Sequence, residues 1–169
     1  MKAKTPSESL TITTKIVLPN QTNPHGNLSG GQLLSWMDEV AVITAQRHSR
    51  RVVVTAAVNN VSFASPVKES DVVTLEARVS RVFNSSMEIF IDVYVEDHLS
   101  GKRTQHNEAI YTFVAVDQNG GPIAVPELIP ETELEKERYE GALRRRQLSL
   151  IIAGRMDPKE ATELQKLFR

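Results

Sequence analysis

The sequence contains no cysteine, which excludes disulfides and thiolate metal sites and leaves the redox compartment open. Net charge is nearly absent as well: 20 Lys and Arg against 21 Asp and Glu give −1 at pH 7. Nothing in that balance points to nucleic acid or an anionic membrane surface. Long hydrophobic runs are missing too. The opening MKAKTPSESL lacks the apolar core of a signal peptide, and no segment approaches transmembrane length, so a cytoplasmic protein is expected. The four histidines (His25, His48, His98 and His106) show no ligand spacing, and no metal is expected. The glycine-rich GNLSGGQ stretch has no Gly-Lys-Ser/Thr ending and is not a nucleotide-hydrolase phosphate loop. Nor is it G-x-S-x-G, because Ser29 follows Leu28 and precedes two glycines. Repeats and low-complexity tracts are absent.

What is present is enough for one well-buried core: 169 residues, 40% of them hydrophobic. SLTITTKIVL, ending at Pro19, reads as a strand running into a loop. The segment from about Gly31 to His48 repeats apolar residues every three or four positions: Leu33, Leu34, Met37, Val40, Ala41 and Thr44 share a face. Trp36, Ile43 and Ala45 widen that arc, so the helix is expected to be covered on most of its circumference. Four strand signals follow: Val52–Phe63, Val72–Val82, Met87–Asp97 with Met87, Ile89, Ile91, Val93 and Val95 on one face, and Thr104–Asp117. Short turns between them argue for antiparallel pairing. One strand, one helix and four strands predict an α+β fold whose five-stranded sheet curls around the helix. Residues 1–126 form this domain, and 127–169 form a charged, peripheral, helical extension. Its LRRRQ run suits a phosphate, but a solvated basic face is the simpler account.

Asp38 stands out on the central helix. It sits one step beyond the apolar arc, beside Leu34, Ala41 and Ala45 and near Val42. A carboxylate at such a border is partly desolvated and becomes a better base. Gly30 and Gly31 fall at the helix N-terminus, where free N–H groups and the positive dipole end favour an oxyanion. Without side chains they let a carbonyl approach the backbone closely. The residues alone leave two readings of Asp38 open: a base, or an acid satisfied by partners at the edge of a core.

The stretch GNLSGGQLLSWMDEVA, followed in order by RH, VVTAAVNNVSFASPV, DVVTLEARV and NSSMEIFIDVYVED, resembles the hot-dog-fold acyl-CoA thioesterases of the bacterial and brain cytosolic acyl-CoA hydrolase group. The match runs from about Ser9 to Pro126. The resemblance implies a long central helix wrapped by a five-stranded antiparallel sheet, in agreement with the strand and helix signals. It implies hydrolysis of acyl-CoA to a free acid and coenzyme A, with no cofactor, since coenzyme A is part of substrate and product. The implied partners are the acyl-CoA substrate and further copies of the chain, a homodimer that can assemble to a hexamer, with no nucleic acid or membrane. By resemblance Asp38 is the general base or nucleophile and Asn27 orients the water or substrate. Phe63, Ser85, Ser86 and Met87 fall in segments like those bracketing coenzyme A, and Lys68, Arg81 and Arg103 are candidates for its phosphates. One departure is Val42, where family members often carry glycine or another small residue; its bulk is placed to restrict the acyl tunnel.

Two rivals have different chemistry. A hot-dog enoyl-CoA hydratase pairs an Asp with a His five residues later, where this chain has Ile43. A non-catalytic acyl-CoA sensor has the same pocket, and Asp38 and Asn27 argue against it. Asn27 and Asp38 are eleven positions apart, mostly along helix, so they stand about 16 Å apart in one chain. To act at one thioester they must come from two subunits, and a two-fold dimer then holds two such sites.

Overall fold

Ser29 begins the central helix. Its backbone is extended (φ −69°, ψ 142°) and its side chain accepts a hydrogen bond from the Gln32 N–H, capping α1, Gly30–Ser49. The helix ends at Arg50, which takes a left-handed conformation with φ 55°. The computed structural model describes residues 1–59, 61–63 and 65–169.

The strands are β1 (Thr11–Ile16), β2 (Val52–Asn59), β3 (Val72–Phe83), β4 (Ser86–Glu96) and β5 (Arg103–Val116), in one antiparallel sheet ordered β1-β3-β4-β5-β2. The run expected over Val52–Phe63 ends as a strand at Asn59, and Asn60 within it lies outside the described residues. A two-residue turn with Asn84 at φ 59° joins β3 to β4. Period-two alternation puts Leu75, Ala77, Val79, Met87, Ile89, Ile91, Val93, Tyr111 and Phe113 on the face that wraps α1. Against them α1 turns Leu33, Met37, Val40, Ala41 and Ala45. The curled sheet around one long helix is the arrangement the hot-dog resemblance implies.

Coverage of α1 is less complete than its apolar arc predicts. Ile43 remains 41% exposed and Leu34 and Val42 are only half-buried. β2, at the sheet edge, leaves Val52, Val54 and Val58 exposed. Periodicity marks which side of a helix is apolar, not which chain covers it.

The extension is helical, with α2 at Glu133–Ile152 started by a reciprocal Thr132/Glu135 capping box. Its last part is less regular than a helical extension predicts, with two 3-10 turns, Pro158–Glu160 and Lys166–Phe168, flanking the short α3, Thr162–Gln165. The basic run is only in part a solvated face: Arg146 is exposed, but Arg145 is engaged. β4 carries Glu88 and Asp92 on the sheet's outer side, and α2 answers them with bidentate pairs, Arg138 to Asp92 at 2.8 Å and Arg145 to Glu88 at 2.7 and 2.9 Å. Arg138 also stacks over Phe90, 3.8 Å from the ring centre. The outer side of β4 is therefore covered, and Arg145 is committed to Glu88. No helix among the described residues is long and apolar enough to cross a membrane.

Candidate functional site

Asn23 organises the loop that leads into α1. Its Oδ1 accepts from the N–H groups of His25 (3.0 Å) and Asn27 (3.2 Å), and its own N–H donates to the Asn27 carbonyl at 2.7 Å. This is the local turn that an Asn-Pro dipeptide favours. With Oδ1 occupied twice, the Nδ2 donors of Asn23 are the groups left to point elsewhere. Gly26, at φ 74°, supplies the positive-φ corner of the loop. Asn27 and Lys68 then form an antiparallel bridge, and the Leu28 N–H donates to the Val67 carbonyl at 2.7 Å.

A cleft of about 350 Å³ opens at this end of α1, with Asn23, Asn27, Gly30, Phe63, Ser65 and His106 among its walls. The Phe63 ring lies over Gly30: a Cβ there would meet the ring at 3.5 Å, whereas one at Gly31 would meet open space. The helix N-terminus thus has room for an oxygen, with N–H groups that no intrahelical carbonyl can satisfy. The structure brings together Asn27, Gly30, Gly31, Phe63 and the backbone of Lys68.

Asp38 is elsewhere. Eight residues of helix separate it from Gly30, about 12 Å of rise, and it does not line the cleft. It is half-buried. The Thr55 hydroxyl on β2 donates to its Oδ1 at 3.4 Å. Close by on β5, the Tyr111 hydroxyl donates to the Leu34 carbonyl at 3.4 Å. Burial, and secondarily the Asp38 charge, pushes the Tyr111 phenol up to about 12, so the phenol stays protonated beside the carboxylate.

Four expected coenzyme contacts are held elsewhere in this chain. Met87 is wholly buried in the core, since its position in β4 alternates onto the inner face. Ser86 is buried and accepts from Arg146 Nη1 at 3.2 Å. Arg81 donates to the Tyr139 carbonyl at 2.9 Å and stacks on that ring at 4.0 Å. Arg103 lies over Tyr94 at 4.1 Å and meets Glu76 at 3.4 Å. Ser85 sits in the β3–β4 turn, half-buried. None of these five lines the cleft at the α1 N-terminus. α2, which the sequence places only as peripheral, supplies two of the competing partners.

Thr55, Tyr111 and Asn23 were not singled out in the sequence. Thr55 and Tyr111 lie in ordinary strand patterns, and only the wrapping of the sheet carries them to Asp38. For Asn23 a signal existed, its Asn-Pro turn. No group of three or more His, Asp or Glu suited to a metal occurs among the described residues.

Residues 25–102 match the family model described as the thioesterase superfamily. The acyl-CoA thioester hydrolase YkhA of Bacillus subtilis is 43% identical over 138 residues, 82% of this chain and 80% of that one. The rat cytosolic acyl coenzyme A thioester hydrolase is 37% identical over 85% of this chain, which spans 39% of that longer protein. Among solved structures, an apo-hexameric acyl-CoA thioesterase matches with TM-score 0.87 and 38% identity, covering 90% of this chain and 98% of that one. An acyl-CoA hydrolase of Staphylococcus aureus in complex with butyryl coenzyme A and coenzyme A matches with TM-score 0.82 and 35% identity, over 97% and 99% of the two chains. Other matched structures of the Staphylococcus aureus hydrolase carry single replacements by Ala, of an Asp, a Thr and an Asn.

Proposed function

The chain belongs to the thioesterase superfamily, and from that membership we propose that it hydrolyses acyl-CoA to a free carboxylic acid and coenzyme A, at sites shared between two subunits. The observation that carries this reading is its likeness, along nearly its full length, to a hydrolase solved with butyryl coenzyme A and coenzyme A. The chemistry needs no group beyond the chain, the thioester and water.

The thioester carbonyl enters the cleft at the α1 N-terminus, and its oxygen receives the Gly30 and Gly31 N–H groups. As general base, Asp38 takes a proton from water while the water oxygen bonds to the carbonyl carbon. Negative charge collects on the carbonyl oxygen, where the helix end stabilises it. Collapse breaks the C–S bond, and the departing thiolate is protonated to give coenzyme A. In the nucleophilic variant the Asp38 carboxylate attacks the carbonyl itself, the C–S bond breaks to release the coenzyme A thiolate, which is protonated, and water cleaves the resulting anhydride. A single turnover in ¹⁸O-water separates the two: only the anhydride route leaves label in the protein.

Asp38 and the cleft are too far apart in one chain to serve one carbonyl. A two-fold dimer unites them by bringing Asp38 of one subunit to the α1 N-terminus of the other. The exposed apolar side chains of β2, Val52, Val54 and Val58, support such an interface. Further assembly to a hexamer accords with the hexameric relative.

The loop amide has two candidates. In the Staphylococcus aureus hydrolase the replaced Asn lies fifteen positions before the replaced Asp, and the replaced Thr seventeen after it. Asn23, Asp38 and Thr55 have that spacing here, so we assign the orienting role to Asn23 in place of Asn27. Asn27 then serves to close the turn. The primary test is release of free thiol from acyl-CoAs of graded chain length. Hydrolysis of simple oxygen esters with no turnover of any acyl-CoA would overturn the reading, and tight binding without turnover would favour the sensor.

A further inference from the structure

Phe63 covers Gly30 yet is itself 51% exposed, so packing alone does not hold it. Two adjacent side chains on β5 hold backbone carbonyls on either side of it. His106 Nε2 lies 2.7 Å from the Ser65 carbonyl, and Asn107 Nδ2 donates to the Ser62 carbonyl at 2.9 Å. The two anchored carbonyls bracket Phe63 in sequence, one residue before and two after. A carbonyl only accepts, so the imidazole must carry its proton on Nε2.

In an unbroken strand, residues 106 and 107 would point to opposite faces and could not grip one loop. β5 is broken there. Its register with β4 passes from Val93↔Asn107 to Tyr94↔Gln105, leaving His106 without a partner in that ladder. Such a bulge bends the strand and re-aims a side chain. It lets His106 reach the Ser65 carbonyl and Asn107 the Ser62 carbonyl.

We propose that the His106 bulge is a positioning device of the site: His106 and Asn107 hold the Ser65 and Ser62 carbonyls so that Phe63 stands as a fixed wall over Gly30, shaping the cleft for the coenzyme arm of an acyl-CoA. The inference rests on the acyl-CoA reading above. Both residues act through Phe63 and neither touches the reacting atoms. Burial pushes the His106 imidazolium down, in keeping with a neutral ring that donates through Nε2 across the physiological range.

The test is a double-mutant cycle read by KM for acyl-CoA and by Kd for free coenzyme A. His106→Ala should raise both by about tenfold with kcat within about twofold, the pattern of a lost binding contribution made equally in ground and transition states. Phe63→Ala should do the same, and the double variant should be no worse than Phe63→Ala alone, because the clamp acts only by placing the ring. His106→Gln keeps an N–H donor and should restore most of the loss. Additive effects in the double variant, or a Kd unchanged in His106→Ala, would overturn the clamp while leaving the hydrolase reading intact. A wild-type chain that binds coenzyme A but turns over no acyl-CoA would overturn the activity, and the Kd cycle would still decide the clamp. A wild-type chain that does not bind coenzyme A would overturn both.

Discussion

The Thr55 hydroxyl stands 3.4 Å from a carboxylate oxygen of Asp38, tying the free edge strand to the central helix at the residue proposed to do the chemistry. Removing that carboxylate should be costly. Asp38→Asn is expected to lower kcat by at least about a hundredfold, the lower end for loss of a general base, with little change in coenzyme A affinity. Near-normal turnover by a normally folded Asp38→Asn protein would return Asp38 to a purely structural role.

Thr55 only orients the carboxylate. Thr55→Ala should reduce kcat by about five- to tenfold, the worth of one hydrogen bond of about 1 kcal/mol, and Thr55→Ser should recover it. Steady-state kinetics on the two variants checks this directly.

Subunit sharing has a quantitative signature. Asn23→Ala and Asp38→Ala proteins, each nearly inactive, are mixed under conditions that exchange subunits. A mixed dimer has one site with both native residues and one lacking both. With random pairing roughly a quarter of all sites regain activity. No recovery despite verified exchange would confine the site to one chain. The same experiment with Asn27→Ala discriminates the two amides: if Asn23 is the orienting group, Asn27→Ala is active before mixing.

The α2 ion pairs are structural. Asp92 is only 5% exposed at its side chain and Arg138 14%, so Arg138→Ala leaves a buried carboxylate without its partner. About 3 kcal/mol of stability should be lost, seen as a lower denaturant midpoint. Replacing both partners by apolar residues should recover most of it, because no charge is then left unpaired.

Stability should also fall with acid. His48 is fully buried, its Nε2 2.6 Å from the Pro126 carbonyl, and burial pushes its imidazolium below the usual 6.5. His106 moves in the same direction for the same cause. The unfolded chain therefore binds protons more readily than the folded one, so stability is full above about 6.5 and drains as pH drops through and below it. His48→Gln keeps a donor for Pro126 without titrating, and its unfolding free energy should depend less on pH between about 7 and 5.

Much of the fold was legible because it is written in short-range pattern. The three-and-four spacing around Met37 and the alternation from Met87 to Val95 each follow from the geometry of a single element. The carboxylates on the outer side of β4 were visible by the same alternation. Their partners were not: Arg138 and Arg145 are more than forty residues from Asp92 and Glu88 in sequence, and nothing local links them. Arg81 and Arg103 could be read as candidates for coenzyme phosphates for a similar reason, because Tyr139 and Tyr94 reach them only through packing.

Residues a few positions apart suffice to set the central helix, the five strands and their antiparallel sense, the glycine opening at the helix N-terminus and the acid on its flank. That Thr55 and Tyr111 are the neighbours of Asp38, that Phe63 lies over Gly30, and that β5 bulges at His106 follows only from the folded chain. Those contacts join residues from different strands and loops, and their distances are set by how the sheet curls around the helix, a property of the whole chain that no local pattern encodes.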